Sequence, residues 1–209
     1  MSGFTQFSKE ELEAISPDDA YTLLKEGNQR FIKDSTINRN WTEEVKDASM
    51  GQFPFAVILS CMDSRVPPQL IFDQGMGNIF INRIAGNILN SDIIGSIEFA
   101  CNIVGSKVIL ILGHTECGAV KGAIDTVDMG NLTGLLDKIK PAIDSTVYDG
   151  DRSSSDSKFV TMVAQENVKL AIEEIRTKSD ILKDLESDGK IKIVGGLYDV
   201  WTGKVTFFE

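Results

Sequence analysis

Two short, unbroken apolar runs constrain this chain more than any other feature. They are Phe53-Pro54-Phe55-Ala56-Val57-Ile58-Leu59-Ser60 and Lys107-Val108-Ile109-Leu110-Ile111-Leu112-Gly113. A run this short, with no polar alternation, suits a strand covered on both faces. Neither run approaches the about 20 residues that a membrane-spanning helix needs. A strand buried on both faces calls for helices on either side of its sheet, and the rest of the chain supplies them. Ser16-Pro17-Asp18-Asp19 reads as a helix start, with a hydroxyl N-cap, proline at the first helical position and acids in the first turn. Tyr21, Leu24, Asn28 and Phe31 follow at helical spacing. Helical patterns also cover Ser91–Val104, Glu116–Val127 and Phe159–Lys178, and Ile181–Leu185 continues the last of them. Asn78–Asn82, Ile191–Val194 and Lys204–Phe208 read as further strands. The expected fold is α/β, a mainly parallel β-sheet flanked by α-helices.

No repeat, low-complexity tract or shift of composition divides the 209 residues. A single domain over 1–209 is expected, with 1–50 a helical arm and 51–209 an α/β core. Tyr148–Ser157 reads as a surface loop, because Gly, Ser and Asp favour turns. The 21 basic residues against 31 acidic ones give a net charge of −10. Such a chain, with no basic cluster, is a poor binder of nucleic acid or anionic membrane. The first residues carry neither a secretory n-region with an apolar core nor an arginine-rich transit pattern, so the expected compartment is the cytoplasm unless a presequence has been removed. Three cysteines, none in a CxxC pair, argue against a disulfide framework.

The chemistry concentrates where the two apolar runs end. Cys61 follows the first, in Cys61-Met62-Asp63-Ser64-Arg65, and His114 and Cys117 follow the second, in Gly113-His114-Thr115-Glu116-Cys117-Gly118. If the two strands are parallel neighbours, all three side chains meet at one sheet edge, where open α/β sheets build their sites. Two thiolates and one imidazole leave a fourth position open on a tetrahedral zinc ion. Thiolates disfavour Mg²⁺ and Ca²⁺. Cys101, the remaining cysteine, falls on the Ile94–Ile97 stripe of a helix and reads as core. His114 is the only histidine, so no second imidazole exists to close a structural tetrad. Asp63 and Arg65, two apart on an extended segment, point to the same side. An Asp beside an Arg stays ionised and can accept a hydrogen bond from water. Taken alone, each of these features has an ordinary reading as packing or a surface ion pair; their coincidence is what points to a catalytic zinc site.

Cys-x-Asp-Ser-Arg followed by His-x-x-Cys resembles the signature of the β-class carbonic anhydrases. The resemblance continues through Val66-Pro67, Asn82-Arg83-Ile84-Ala85-Gly86-Asn87, Ser96-Ile97-Glu98-Phe99-Ala100, Cys117-Gly118-Ala119, Gly195-Gly196-Leu197-Tyr198 and Thr202-Gly203. It spans roughly Ala20 to Phe208. It implies one Zn²⁺ per chain on Cys61, His114 and Cys117, and reversible hydration of CO₂ to bicarbonate. Asp63, held by Arg65, would orient the attacking oxygen. It further implies a substrate pocket of Gln52, Phe80, Ala85, Phe99 and Gly118. Gln52 and the bulky Phe80 and Phe99 are similar to the plant-like subgroup. The bicarbonate-gated subgroup has Trp where this chain has Ile58, so Asp63 is expected on Arg65, with the fourth zinc position open. Ser60 departs from the Ala usual at that place in the plant-like pattern.

The same resemblance implies a homodimer or higher even oligomer, with the arm embracing a partner subunit and both subunits lining each pocket. The arm's apolar Leu12, Ile15, Leu23, Leu24 and Phe31 need a surface to cover, and a partner subunit is the expected one. Two rival functions use the same residues. One is hydrolysis of carbon disulfide or carbonyl sulfide on this scaffold. The other is a zinc-binding module without catalysis, which would have no use for the Asp63–Arg65 pair.

Overall fold

The computed structural model describes residues 6–208; residues 1–5 of the expected arm and residue 209 of the expected core lie outside it. Three helices open the chain: α1 (Lys9–Ala14), α2 (Pro17–Ile32) and α3 (Trp41–Ala48). Ser8 and Glu11 cap α1 reciprocally, and the Ser16 hydroxyl accepts the Asp19 amide at the start of α2. Then follow β1 (Ala56–Ser60), α4 (Pro68–Ile71), β2 (Ile79–Arg83), α5 (Ser91–Glu98) and β3 (Val108–His114). The chain closes with α6 (Gly118–Ile124), α7 (Gly130–Leu136), α8 (Lys140–Ser145), α9 (Ser157–Lys178), α10 (Asp180–Ser187), β4 (Lys192–Tyr198) and β5 (Val205–Phe208).

The five strands form one sheet in the order β2-β1-β3-β4-β5. The β2–β1, β1–β3 and β3–β4 pairs are parallel, and β5 returns antiparallel to β4. Every residue of β1 and β3 is buried, as both-face cover requires. On one face Ala56, Ile58, Leu110 and Leu112 pack with Ala20 and Leu24 of α2 and with Phe55, Ile71 and Phe72. On the other, Val57, Leu59, Ile109 and Ile111 pack with α5, α9 and Leu182 of α10. A third cluster joins α6, α7 and α8 to the start of α9, and it includes Cys61 and Cys117.

Several expectations are corrected. Leu12 and Leu24 are buried, and Ile15, Leu23 and Phe31 pack against the same cluster of this chain's own core. The apolar face of α1 and α2 therefore meets its own sheet, so these residues do not by themselves call for a partner subunit. The part of the arm left uncovered is α3, which buries no residue and exposes Trp41 and Val45. The stretch Ser91–Val104 is helical throughout, but from Phe99 to Val104 it widens into a π-helical turn that ends at Gly105, φ 97°. Helices α7 and α8 have no counterpart in the sequence reading; both are short, and α7 contains Gly130 and Gly134, so neither carries a strong periodic signal.

Candidate metal centre

Cys61 is the first residue past β1, and β3 ends on His114. The two strands are parallel neighbours with Ser60 opposite Leu112, so their ends share one edge of the sheet. Cys117 is brought back to that edge by a turn through Glu116, whose φ is 56°. A non-glycine residue there costs on the order of 1 kcal/mol. Local contacts hold it: its carboxylate pairs with Lys121 Nζ, and its carbonyl accepts from Arg65 Nη2 at 3.2 Å.

The Cys61 and Cys117 sulfurs stand 4.0 Å apart, and these atoms and a ring nitrogen of His114 all lie within 4.8 Å of one another. His114 Nδ1 is 2.8 Å from the Thr115 carbonyl. A carbonyl only accepts, so Nδ1 carries the proton and Nε2 presents a lone pair. Nε2 is buried with no hydrogen-bond partner. A buried acceptor without a donor is costly, and here it faces two thiols. The contact between the two sulfurs, chiefly, lowers the Cys61 thiol to about 4 and, together with burial, raises the Cys117 thiol. Two soft donors and one borderline donor around an unsatisfied point fit a zinc ion, on whose binding the thiols would give up their protons.

Asp63 stands beside this group, with Oδ2 3.9 Å from His114 Nε2. Arg65 grips it at both oxygens, Nε to Oδ1 at 2.9 Å and Nη2 to Oδ2 at 2.7 Å, and the Arg65 amide adds a third bond at 2.9 Å. The Arg65 guanidinium is the main reason the Asp63 carboxyl falls to about 2. Asp63 is thus a fixed, ionised acceptor at the mouth of the group. Arg83, to which the motif alone assigns no role, donates from Nε to the Cys61 carbonyl at 3.2 Å and from Nη2 to the Asp63 carbonyl. The Gly86 amide donates to the Cys61 sulfur at 3.3 Å, and Asn167 Nδ2 donates to the Gly86 carbonyl at 2.9 Å. Nothing in the motifs points to Asn167; its one signal is that it is a polar residue on the buried stripe of α9.

Comparison with known proteins decides the family. A family model described as carbonic anhydrase matches residues 56–205. Carbonic anhydrase 2 of Mycobacterium tuberculosis is 31% identical over 195 residues, covering 90% of this chain and 91% of its own. The chain belongs to the β-class carbonic anhydrases. The carbonic anhydrase of Mycolicibacterium smegmatis is also 31% identical, over 192 residues, covering 91% of this chain and 92% of its own. Among solved structures, a tetrameric β-carbonic anhydrase of Sordaria macrospora superposes with a TM-score of 0.69 at 24% identity, covering 80% of this chain and 86% of that one. The β-carbonic anhydrase CafA of Aspergillus fumigatus has the same TM-score and identity, with 92% and 90% covered.

The expected carbonic anhydrase pocket is only partly assembled within one chain. Ala85 precedes the Gly86 amide that reaches Cys61, so it lies at the metal centre. Gly118 follows Cys117, and a side chain added there would meet nothing within 4 Å, so space is open beside the cysteine. Gln52 lies elsewhere. It precedes β1, whereas Cys61 follows it, and it lines a cavity of about 250 Å³ with Leu12, Phe53 and Ile103. Phe80 and Phe99 sit with ring centres 6.4 Å apart in a surface cleft of about 540 Å³ beside the edge strand β2. Phe99 is 54% exposed.

Proposed function

We propose that this chain catalyses CO₂ + H₂O ⇌ HCO₃⁻ + H⁺ at the Cys61–His114–Cys117 centre, as a zinc-dependent carbonic anhydrase of the plant-like subgroup. The observation that carries this reading is an ionised Asp63, locked by Arg65, beside a buried Cys2His donor set with an unpaired Nε2. Cys61, His114 and Cys117 hold the metal, one ion per chain. Zinc, when bound, supplies a Lewis acid that lowers the pKa of a coordinated water from 15.7 to about 7. Asp63 accepts a hydrogen bond from the attacking water and so directs its free lone pair at carbon. Arg65 keeps Asp63 ionised and turned away from the metal position. Nδ1 of His114 stays bonded to the Thr115 carbonyl, and the chain has no other histidine, so the released proton passes to water, buffer or exposed carboxylates.

The remaining pocket residues come from a second copy. Gln52 precedes the amino end of β1, and Phe80 and Phe99 line the cleft beside β2, whereas Cys61, His114 and Cys117 lie at or just past the carboxyl ends of β1 and β3. Ile81, on the edge strand β2, is exposed, and Phe99 and Ile103 beside it are more so. A homodimer or an even multiple of it would cover that edge and bring the Gln52 amide and two apolar rings to the partner's CO₂. No helix among the described residues is long and apolar enough to cross a membrane. All three cysteines are free, a state that the reducing cytoplasm maintains, and the cytoplasm is where we place the enzyme. The direct test is metal analysis with stopped-flow CO₂ hydration on the wild type and Cys117→Ser. The wild type should carry one zinc and hydrate CO₂, and the variant should lose both; a variant that keeps its zinc and its full rate overturns the ligand assignment.

A further inference from the structure

We infer that Asn167 of α9 is a positioning residue for the metal centre, acting through Gly86 on the Cys61 sulfur. The inference rests on the reading of Cys61, His114 and Cys117 as metal ligands. Asn167 lies on the buried stripe of α9, among Val160, Val163, Ala164, Val168, Ala171 and Ile172. Burying an amide in such a stripe is unfavourable unless it is hydrogen-bonded. Leucine would fill a similar volume and add apolar cover. The Asn167 Nδ2 bond to the Gly86 carbonyl, 2.9 Å and buried, is the specific gain that offsets this.

The turn at Gly86 needs holding. Gly86, at φ 66°, adopts the left-handed region freely and so is not fixed by its own backbone preference, while Asn87 after it, at φ 42°, is held there by surrounding structure. A side chain cannot do the fixing, because a Cβ on Gly86 would stand 2.7 Å from Ile139 Cδ1 and 3.2 Å from Ala119 Cβ. The turn is instead tied by the Asn87 amide to the Ile84 carbonyl at 3.0 Å and by Asn167. Its product is the Gly86 amide aimed at Cys61 Sγ at 3.3 Å. An amide on a thiolate orients the sulfur and draws charge from it, and such outer contacts are worth about 10- to 100-fold in metal affinity.

The experiment compares the wild type, Asn167→Leu and Ile172→Val, a packing change on the same stripe. Zn²⁺ affinity is read by competition with a chromophoric chelator, and the thiolate-to-metal charge-transfer bands are read after loading Co²⁺. Asn167→Leu should bind Zn²⁺ about 10- to 100-fold more weakly and shift the Co²⁺ bands, whereas Ile172→Val should match the wild type in both. Equal affinity and an unchanged spectrum in Asn167→Leu overturn the inference while leaving the ligand set standing. A wild type that binds neither metal tightly overturns the ligand set itself. If Asn167→Leu does not fold, Asn167→Ala takes its place with the same outcomes.

Discussion

The Asp63–Arg65 pair shows how one residue's neighbour sets its chemistry. An isolated aspartate two residues from a metal ligand is free to turn toward the metal; here three bonds from Arg65 hold both oxygens. The grip also has a thermodynamic signature. The Asp63 carboxyl sits at about 2 in the folded chain against an ordinary 3.8. A depressed folded value means the pair stabilises the fold above about pH 4 and loses that contribution as the pH falls toward 2. Arg65 is 50% exposed, so solvent screening reduces the effect to roughly 1 kcal/mol. Urea denaturation of the metal-free wild type and Arg65→Gln should show that gap at pH 7, and it should close between about pH 4 and 2. A gap that stays constant across this range would mean that the ion pair does not lower the Asp63 carboxyl.

Elements, not single residues, bring the site to one place. The parallel register of β1 with β3 puts Cys61 and His114 at one edge, and the Glu116 turn into α6 adds Cys117. The long α9 backs this edge at its start and the sheet face further along, then breaks at Ser179. That residue closes α9 with its amide on the Ile175 carbonyl and opens α10 with its hydroxyl on the Leu182 amide. The same hydroxyl donates to Glu98 at the end of α5. Ser179→Ala removes a buried cap and leaves Glu98 without its donor, which should cost about 1–2 kcal/mol. Chemical denaturation should record that loss with an unchanged slope, and the zinc content should stay that of the wild type. A drop in zinc content would show that the α9–α10 junction is coupled to the metal centre.

At the scale of the molecule, the proposed dimer would make the oligomer part of the enzyme. The proposed metal ligands lie at or just past the carboxyl ends of β1 and β3, whereas Gln52 precedes the amino end of β1 and Phe80 and Phe99 line the cleft beside β2. Two defective variants should therefore repair each other. Cys117→Ser lacks a metal centre but keeps Gln52, and Gln52→Ala keeps its metal but lacks the amide. When the two are unfolded together and refolded, a mixed dimer pairs the metal centre of one subunit with the Gln52 of the other. CO₂ hydration should exceed the sum of the separately refolded variants. Activity no greater than that sum, in a sample that light scattering shows to contain dimers, would place each pocket within a single subunit.

Much of this was legible without a structure because it depends on local pattern and on scarce residue types. Unbroken apolar runs announced β1 and β3, and the Ser16-Pro17 start announced α2, since burial on both faces and helix capping leave their mark within a few residues. One histidine and two cysteines at strand ends left few other ways to build a metal site. Tertiary structure decided what apolar faces meet. Periodicity marked Leu12, Leu24 and Phe31 as needing cover, but a pattern along one segment carries no information about which surface covers it, and the chain's own core did. It also decided the contacts that act through the backbone. Arg83 grips the carbonyls of Cys61 and Asp63, and Asn167 grips that of Gly86 across 81 positions of sequence. Every residue offers a carbonyl, so no residue type records the contact, and only the folded chain shows which carbonyl is held.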